Sequence, residues 1–555
     1  MQTVAVFGGG IAGLTVAHEF VRRGYAVSVY EANENAGGFF RSARLAKDDG
    51  MPSEYSWHGM GPLYHNVFDI MKQIPFDETG SVYEKGLSRP IAFGVAPDVG
   101  IVQFDDSPII LRTTKKMFRM SWLETCRWAW LMGKTWSANR RSFENYARLN
   151  AAEQWGRVLS EKAGKTWRAS FGPWIGSDWT NVSLHTVGRF FLRLLLTKPA
   201  HMHPADAKGP SWRHGSRDGW LLLRGPSNEY WIDRWVTYLM KNNVTFHWKS
   251  SVQKFDYDGH TITGASLDTG ERIEANIYVM ATNPFAAAQI FDRTPAIAEL
   301  EQLHLFHPLV QDGPHTQVSF RIAFSEKIFW PRKRAAVILA DSAFNLTLFA
   351  EEQAWGDAAE LGKGIVSLWT VTACVATVPG TLYGKPIVTC TKEQFLEEAL
   401  EQLYRCKSLD RLIRDANGDR SLKTFTMQKI TVWHEWIFSP DGIKPHQPKW
   451  VDTTNTQPYR PTQKTPIPNL LLAGAHTKTA MDIWSIEGAV ESGRRAVQIV
   501  EPDVVVLPQY EPWLLRFVRM IDDYCYGAGL PHVFDILLVV VPLLIIGVIV
   551  RYMYF

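Results

Sequence analysis

Three glycines and one acid near the N-terminus carry the clearest chemical spacing in the chain. Gly8, Gly10 and Gly13 stand in a G-x-G-x-x-G register directly after the apolar, β-prone run of residues 3–7. Gly8 allows a tight turn, Gly10 lets backbone approach a pyrophosphate, and Gly13 lets a helix pack on the preceding strand. Ile11 and Ala12 lie between these glycines, and the N-terminus of the helix that follows faces the phosphate charge. Glu31 follows 18 residues after Gly13. A carboxylate there can accept both ribose hydroxyls of an adenosine. The elements that must position these groups are also legible. Residues 14–23 have a helical pattern closed by Gly24, and residues 26–30 form a second strand ending on Glu31. The unit is β-turn-α-β, and its chemistry is dinucleotide binding.

Composition sets the bounds. The chain has 555 residues, 46% hydrophobic and 21% charged, enough to bury a large core in two or more domains. A net charge of +3 without a long Lys/Arg run gives no reason to expect nucleic acid. Five widely spaced cysteines point to reduced thiols, with neither a disulfide framework nor a metal site. The first strand starts at residue 3, so no signal or transit peptide is expected. His201, His203 and His214 lie in a Pro/Gly-rich loop without cysteine or carboxylate partners at ligand spacing, and no metal is expected there.

Downstream, Glu31-Ala32 leads to Gly37-Gly38 and Phe39-Phe40-Arg41-Ser42. This resembles the extended adenine-dinucleotide motif of the amine oxidase and carotenoid desaturase flavoproteins, in which a Gly-Gly pair lines the pyrophosphate of FAD. The basic residue usual after the two glycines is Phe39 here, and Arg41 stands as its replacement. Residues 54–66, around His58, resemble a His-containing segment of plant-type phytoene and zeta-carotene desaturases, with Ser56 at that segment's first Gly. The resemblance gives His58 a flavin-proximal role and makes it a candidate for catalysis. Arg193 sits where the desaturases carry an Arg on a helix near the substrate cavity, placed to polarise a quinone or a substrate end group; a solvated or salt-bridged arginine is the plain alternative. The hairpin pattern of residues 251–282 resembles the family's second FAD-contacting segment, with the backbone of Val252 at the adenine. Residues 469–495, with Gly474, Ala475, His476 and Ile486, resemble the desaturases' closing segment. There the family's Asp is Ala475 and its Tyr is His476.

The resemblance runs over residues 3–500. It implies an α/β FAD-binding domain of Rossmann, glutathione-reductase-like type, interleaved with an α+β substrate domain; the last 55 residues leave the family pattern, and their apolar run is expected to add a C-terminal membrane helix. FAD-binding parts are expected at 1–75, 216–290 and 466–505, a lid region at 76–215, and a sheet-bearing substrate domain at 291–465. Residues 115–143, with Trp122, Trp128, Trp130 and Trp136 among basic residues, suit either a bilayer-interface helix or a lid with a tryptophan core. Residues 506–535 read as an amphipathic linker. Residues 536–550 contain no charged or strongly polar side chain. With residues 551–555 they are expected to form a single-pass anchor that holds a cytosolic flavin domain at a membrane.

The implied protein is an FAD-dependent oxidoreductase with non-covalent FAD, acting on an apolar, isoprenoid-like lipid, with a quinone or oxygen as acceptor. Two other readings stay open at this point: a flavin amine oxidase, and a membrane-tethered flavin-fold protein that has lost turnover, motivated by Ala475.

Overall fold

In the computed structural model the described residues are 1–56, 58–88, 93–95, 102–103, 115–116, 118–196, 220–331, 336–440 and 442–554. The histidine cluster of the long Pro/Gly-rich loop lies outside them. The chain opens with strand β1 (Thr3–Phe7), helix α1 (Ile11–Val21) and strand β2 (Ala26–Glu31), as the glycine spacing predicts. Helix α2 (His65–Gln73) follows, and then two short strands, β3 (Phe93–Val95) and β4 (Val102–Gln103).

The tryptophan-rich segment folds as α3 (Trp122–Trp136). It is opened by a capping box in which Ser121 and Glu124 satisfy each other's backbone N–H groups. A tryptophan core is present in part of this segment. Trp128 is buried and stacks on Trp167 at 5.2 Å, whereas Trp122 is 58% exposed. Trp167 belongs to α4 (Glu161–Ile175), and α5 (Leu184–Leu196) adds Phe191 at 5.3 Å from Trp167. Each such ring contributes roughly 1.5–3 kcal/mol by burial, so this aromatic cluster is what holds the helical region together.

Strand β5 (Thr245–Trp248) returns the chain to the first unit, followed by the hairpin β6 (Val252–Tyr257) and β7 (Ile262–Leu267) and by β8 (Ile277–Met280). Next come β9 (Val318–Phe324), β10 (Ala336–Ile338), β11 (Leu346–Ala350), β12 (Ser367–Ala373) and β13 (Met427–Val432). The chain closes with β14 (Leu470–Leu472) and the helices α6 (Ile486–Gln498), α7 (Trp513–Gly527) and α8 (Val533–Tyr554).

These strands form two main layers. A five-stranded parallel sheet has the order β5-β2-β1-β8-β14 and draws on three separated stretches of sequence. A seven-stranded sheet has the order β13-β9-β12-β11-β10-β3-β4, antiparallel except for the β10–β3 pair. Strands β9 and β12 are buried at every position, because helices such as Lys392–Arg405 cover one face and the rest of the molecule covers the other.

The C-terminus corrects one expectation. Among the described residues no helix is long and apolar enough to cross a membrane, so the single-pass anchor and the localisation built on it are not upheld. The physical reason lies at both ends of α8. Its first turn belongs to the body, with Asp535 paired to Lys134 at 2.6 Å and Phe534 packed on Trp130 at 5.4 Å. The 15 apolar residues beyond it span about 22 Å as a helix, short of the ~30 Å hydrocarbon thickness, and Arg551 then ends the run.

Candidate active site

A cavity of about 450 Å³ starts beyond the carboxyl ends of the parallel strands and extends to α4 and the approach to β9. That is a ligand-sized volume at the usual place for an α/β sheet. At its sheet end Gly8, Gly10, Ile11, Ala12, Glu31 and Ala32 form the wall, with Gly38 and Val252 opposite. Gly8 has φ +107°, and a Cβ there would stand 2.7 Å from the Ala281 carbonyl oxygen. Gly13 lies behind the wall. A Cβ on it would meet the Gly8 carbonyl oxygen at 1.9 Å, so only glycine lets α1 sit this close to β1. Gly37 donates its N–H to the Gly9 carbonyl at 2.9 Å, which brings the two glycine segments edge to edge.

Glu31 shapes the same end. One carboxylate oxygen accepts the Gly9 N–H at 2.7 Å, and the other accepts the Asn33 N–H at 2.9 Å. The second oxygen also accepts the Asn33 side-chain amide at 2.5 Å, so it is the first that keeps a lone pair for a further donor. The first N–H groups of α1 and of α6, whose Ile486 also lines the cavity, converge on this space. An extended diphosphate between two sugars fits this cradle: acceptors of hydroxyls at one end, unpaired N–H groups in the middle, and glycine where a side chain would collide.

The closing loop Gly474-Ala475-His476 lines the other side. Arg460, completely buried, sets its shape from behind. The guanidinium donates to the carbonyls of Ala475 at 2.7 Å, Thr477 at 2.7 Å and His476 at 3.4 Å, and pairs with Asp482 at 3.1 Å. Burial, with the Arg460 charge added, pushes the His476 imidazole down to about 3, so the ring is neutral. Burial likewise pushes Asp452, 3.8 Å from Arg460, up to about 6 despite that neighbour.

Residues 135–500 match the flavin containing amine oxidoreductase family, and residues 6–74 match the NAD(P)-binding Rossmann-like domain. The chain belongs to the flavin containing amine oxidoreductase family. It is an FAD-dependent oxidoreductase of the carotenoid desaturase-like branch. The "Probable zeta-carotene desaturase" of Synechococcus elongatus is 24% identical over 532 residues, covering 89% of this chain and 98% of that one. The zeta-carotene desaturase of Synechocystis sp. is 21% identical over 555 residues, covering 90% and 96%. Among solved structures, cyclohexylamine oxidase from Brevibacterium oxydans superposes with TM-score 0.53 at 15% identity, over 90% of this chain and 99% of that one. That likeness concerns the fold.

In this flavin oxidoreductase the cavity gathers most residues singled out from sequence, but Gly13 lies behind its wall and two arginines stand apart. Arg41 turns its guanidinium to Glu435 at 2.7 Å and to the Gly38 carbonyl at 3.1 Å, outside the wall. It braces the second glycine pair from behind. Arg193 pairs with Glu511 at 2.9 Å and donates to the Ala480 carbonyl at 3.0 Å, also outside the wall. His58 does line the cavity, its ring 3.8 Å from that of Phe40, and its Nδ1 lies 3.8 Å from Glu54. Burial alone would raise the Glu54 carboxyl, but His58 and Arg321 outweigh it and hold Glu54 below the usual carboxylate range.

Sequence reasoning missed Lys449. It is buried in the cavity wall, donates to the Gly176 carbonyl at 3.2 Å and to Gln317, and lies 5.0 Å from the Trp484 ring centre. Burial pushes its ammonium down to about 8. The available signal was a single lysine between Pro448 and Trp450 in an otherwise proline-rich return loop. A second unforeseen group, Ser142–His185–Asp482, has the composition of a hydrolytic triad, with Ser142 Oγ 2.8 Å from His185 Nδ1. All three side chains are buried and none reaches the cavity, so they form a strut between the helical region and the closing loop.

Proposed function

We propose that this enzyme dehydrogenates an apolar, isoprenoid-like lipid, desaturating or isomerising it, and passes the electrons on to a quinone or oxygen. Bound FAD supplies the hydride acceptor. Gly8, Gly10, Gly38 and the α1 N-terminus would hold its diphosphate, Glu31 its ribose and the Val252 backbone its adenine. Gly474, Ala475 and Ile486 would border the flavin end, with His58 beside it. Phe39, Trp174, Trp220 and Trp484 line the space beyond, excluding water and presenting flat apolar walls to a hydrocarbon chain.

One observation carries the choice of substrate class. Among the described residues the only carboxylate in the cavity wall is Glu31, and it already serves Gly9 and Asn33 at the dinucleotide end. The charged side chain at the other end is Lys449, a cation, so an ammonium substrate would meet repulsion there. The relatives named as zeta-carotene desaturases support the same class. Collection of the substrate from a lipid surface is supported by α7, whose outer face exposes Trp513, Leu514, Phe517, Met520 and Tyr524. The clamp of Arg460 on the Ala475 carbonyl supports an active closing loop in place of the turnover-less reading.

The test is anaerobic bleaching of the flavin in the purified protein. Phytoene-like polyenes or squalene derivatives should reduce it, while polyamines and aromatic amines should not. Fast bleaching by an amine, with none by the lipids, rejects the proposal. No cysteine lines the cavity among the described residues, so acid precipitation should release all of the flavin.

A further inference from the structure

Behind the closing loop, α5 and α7 bring three arginines together around one acid. Arg193 donates to one oxygen of Glu511 at 2.9 Å and Arg519 to the other at 2.8 Å. Arg189, one turn before Arg193 on α5, is close enough that the charges of Arg519, Asp482, Arg193 and Glu511 all act on its guanidinium. The three side chains are 7%, 3% and 8% exposed, so water does not screen them.

The other nearby acids are taken. Asp482 holds Arg460 at 3.1 Å, Asp522 holds Arg141 at 3.1 Å, and Glu491 holds Arg495 at 2.6 Å. Among the described residues Glu511 is the one carboxylate paired with the three guanidinium groups, and Asp482, whose partner Arg460 also has Asp452 at 3.8 Å, adds a second negative charge at longer range. The hydrogen-bond inventory agrees: Nε of Arg189, Nε and Nη1 of Arg193, and Nη2 of Arg519 are buried without an acceptor. Water could satisfy those N–H groups, but with Arg460 and its two acids counted it would leave a buried excess of about one positive charge, which is costly in a low-dielectric interior. Burial and the neighbouring arginines push Arg189 down to about 10, the direction such an excess produces.

We propose that Arg189, Arg193 and Arg519 form a binding site for a phosphate group, placed behind the closing loop and separate from the flavin cavity. The sign of the charge matches. A phosphate monoester carries about −1.5 to −2 at neutral pH, and its oxygens accept the forked guanidinium donors that have no partner here. Arginine, and not lysine, at all three positions suits that planar geometry. The group could belong to a free phosphate or to the headgroup of a phospholipid, since the outer face of α7 is apolar while Arg519 lies on its inner face.

The test uses the full-length holoenzyme, exchanged into phosphate-free chloride buffer. Inorganic phosphate at constant ionic strength should raise Tm saturably, by about 2 °C at one hundred times its dissociation constant. The Arg189→Met/Arg193→Met variant should lose the response, and its Tm in chloride should equal or exceed that of the wild type because the unpaired charge is gone. Should that variant not fold, Arg189→Lys should weaken phosphate binding about tenfold through loss of the fork. Vesicles of phosphatidylcholine with and without phosphatidic acid identify the source. Arginine-dependent flotation with phosphatidic acid, without a response to free phosphate, assigns a headgroup, and the reverse assigns a small phosphate. Equal Tm in phosphate and chloride together with no arginine-dependent vesicle binding overturns the site, as does an undiminished response in the arginine variants.

Discussion

The Arg460 guanidinium donates to the Ala475 carbonyl at 2.7 Å, so the closing loop is shaped by an arginine behind it and not by the side chain at position 475. The same side chain is the counter-ion of Asp482. Arg460→Met should therefore do two things together. It should strand a buried carboxylate, costing about 3–5 kcal/mol of stability, and it should free the loop carbonyls. A fall in Tm with reduced flavin content per protein is expected. Arg460→Lys should recover part of the Tm but less of the flavin, because a lysine cannot span three carbonyls. Full flavin content in the Met variant would show that the loop holds its shape without the clamp.

Glu31→Ala should weaken FAD binding by about ten- to a hundredfold, corresponding to loss of hydrogen bonds to a charged acceptor worth roughly 1.5–3 kcal/mol. The structure adds a second contribution, since the Gly9 and Asn33 N–H groups also lose their acceptor. Titration of the apoprotein with FAD, followed by flavin fluorescence, measures it. Arg41→Ala should have a smaller effect, because Arg41 acts through the Gly38 carbonyl and Glu435.

Gly13→Ala and Gly24→Ala separate two reasons for glycine. At Gly24 the backbone has φ +82° with open space around it, so alanine should cost about 1 kcal/mol of conformational strain. At Gly13 the new Cβ would fall 1.9 Å from the Gly8 carbonyl oxygen, and the strand and helix must separate. Gly13→Ala should lower Tm much more and should lose flavin. Equal Tm losses would refute the close-packing argument.

The dinucleotide end was readable from sequence because its requirements are local. Tight turn, close approach and acid each follow from residues within about one supersecondary unit; β1 and β2 form where the pattern places them, and α1 (Ile11–Val21) starts before the expected Leu14 because the glycine turn already carries its first residues. What sequence could not supply depended on contacts between distant segments. Lys449 gains its meaning only when residues 172–176 and 484 close around it, and Arg460 only when residues 475–482 fold over it. Arg41 and Arg193 failed to reach the cavity wall for the same reason, each drawn aside by a carboxylate hundreds of residues away. The C-terminal run misled because hydropathy registers apolar length but not Asp535 pinned to Lys134.

Lys449 provides a pH test of the inner cavity. Burial pushes its ammonium down to about 8, against an ordinary 10.5. Below pH 8 the lysine is charged in both the folded and unfolded chains, and the cost of burying that charge is fully present. Between about pH 8 and 10.5 the unfolded chain still binds the proton while the folded chain has lost it, so stability rises with pH across that window. The full cost is about 3 kcal/mol, offset by about 2 kcal/mol from its hydrogen bonds to Gly176 and Gln317. Lys449→Met should therefore be more stable than wild type by about 1 kcal/mol at pH 7, and this advantage should vanish or reverse toward pH 10. Urea unfolding of both proteins at matched pH values gives the difference directly, since the other titrating groups cancel. A difference that stays constant from pH 7 to 10 would mean that Lys449 keeps its proton throughout, as it would if a carboxylate or phosphate of the bound cofactor or substrate paired with it.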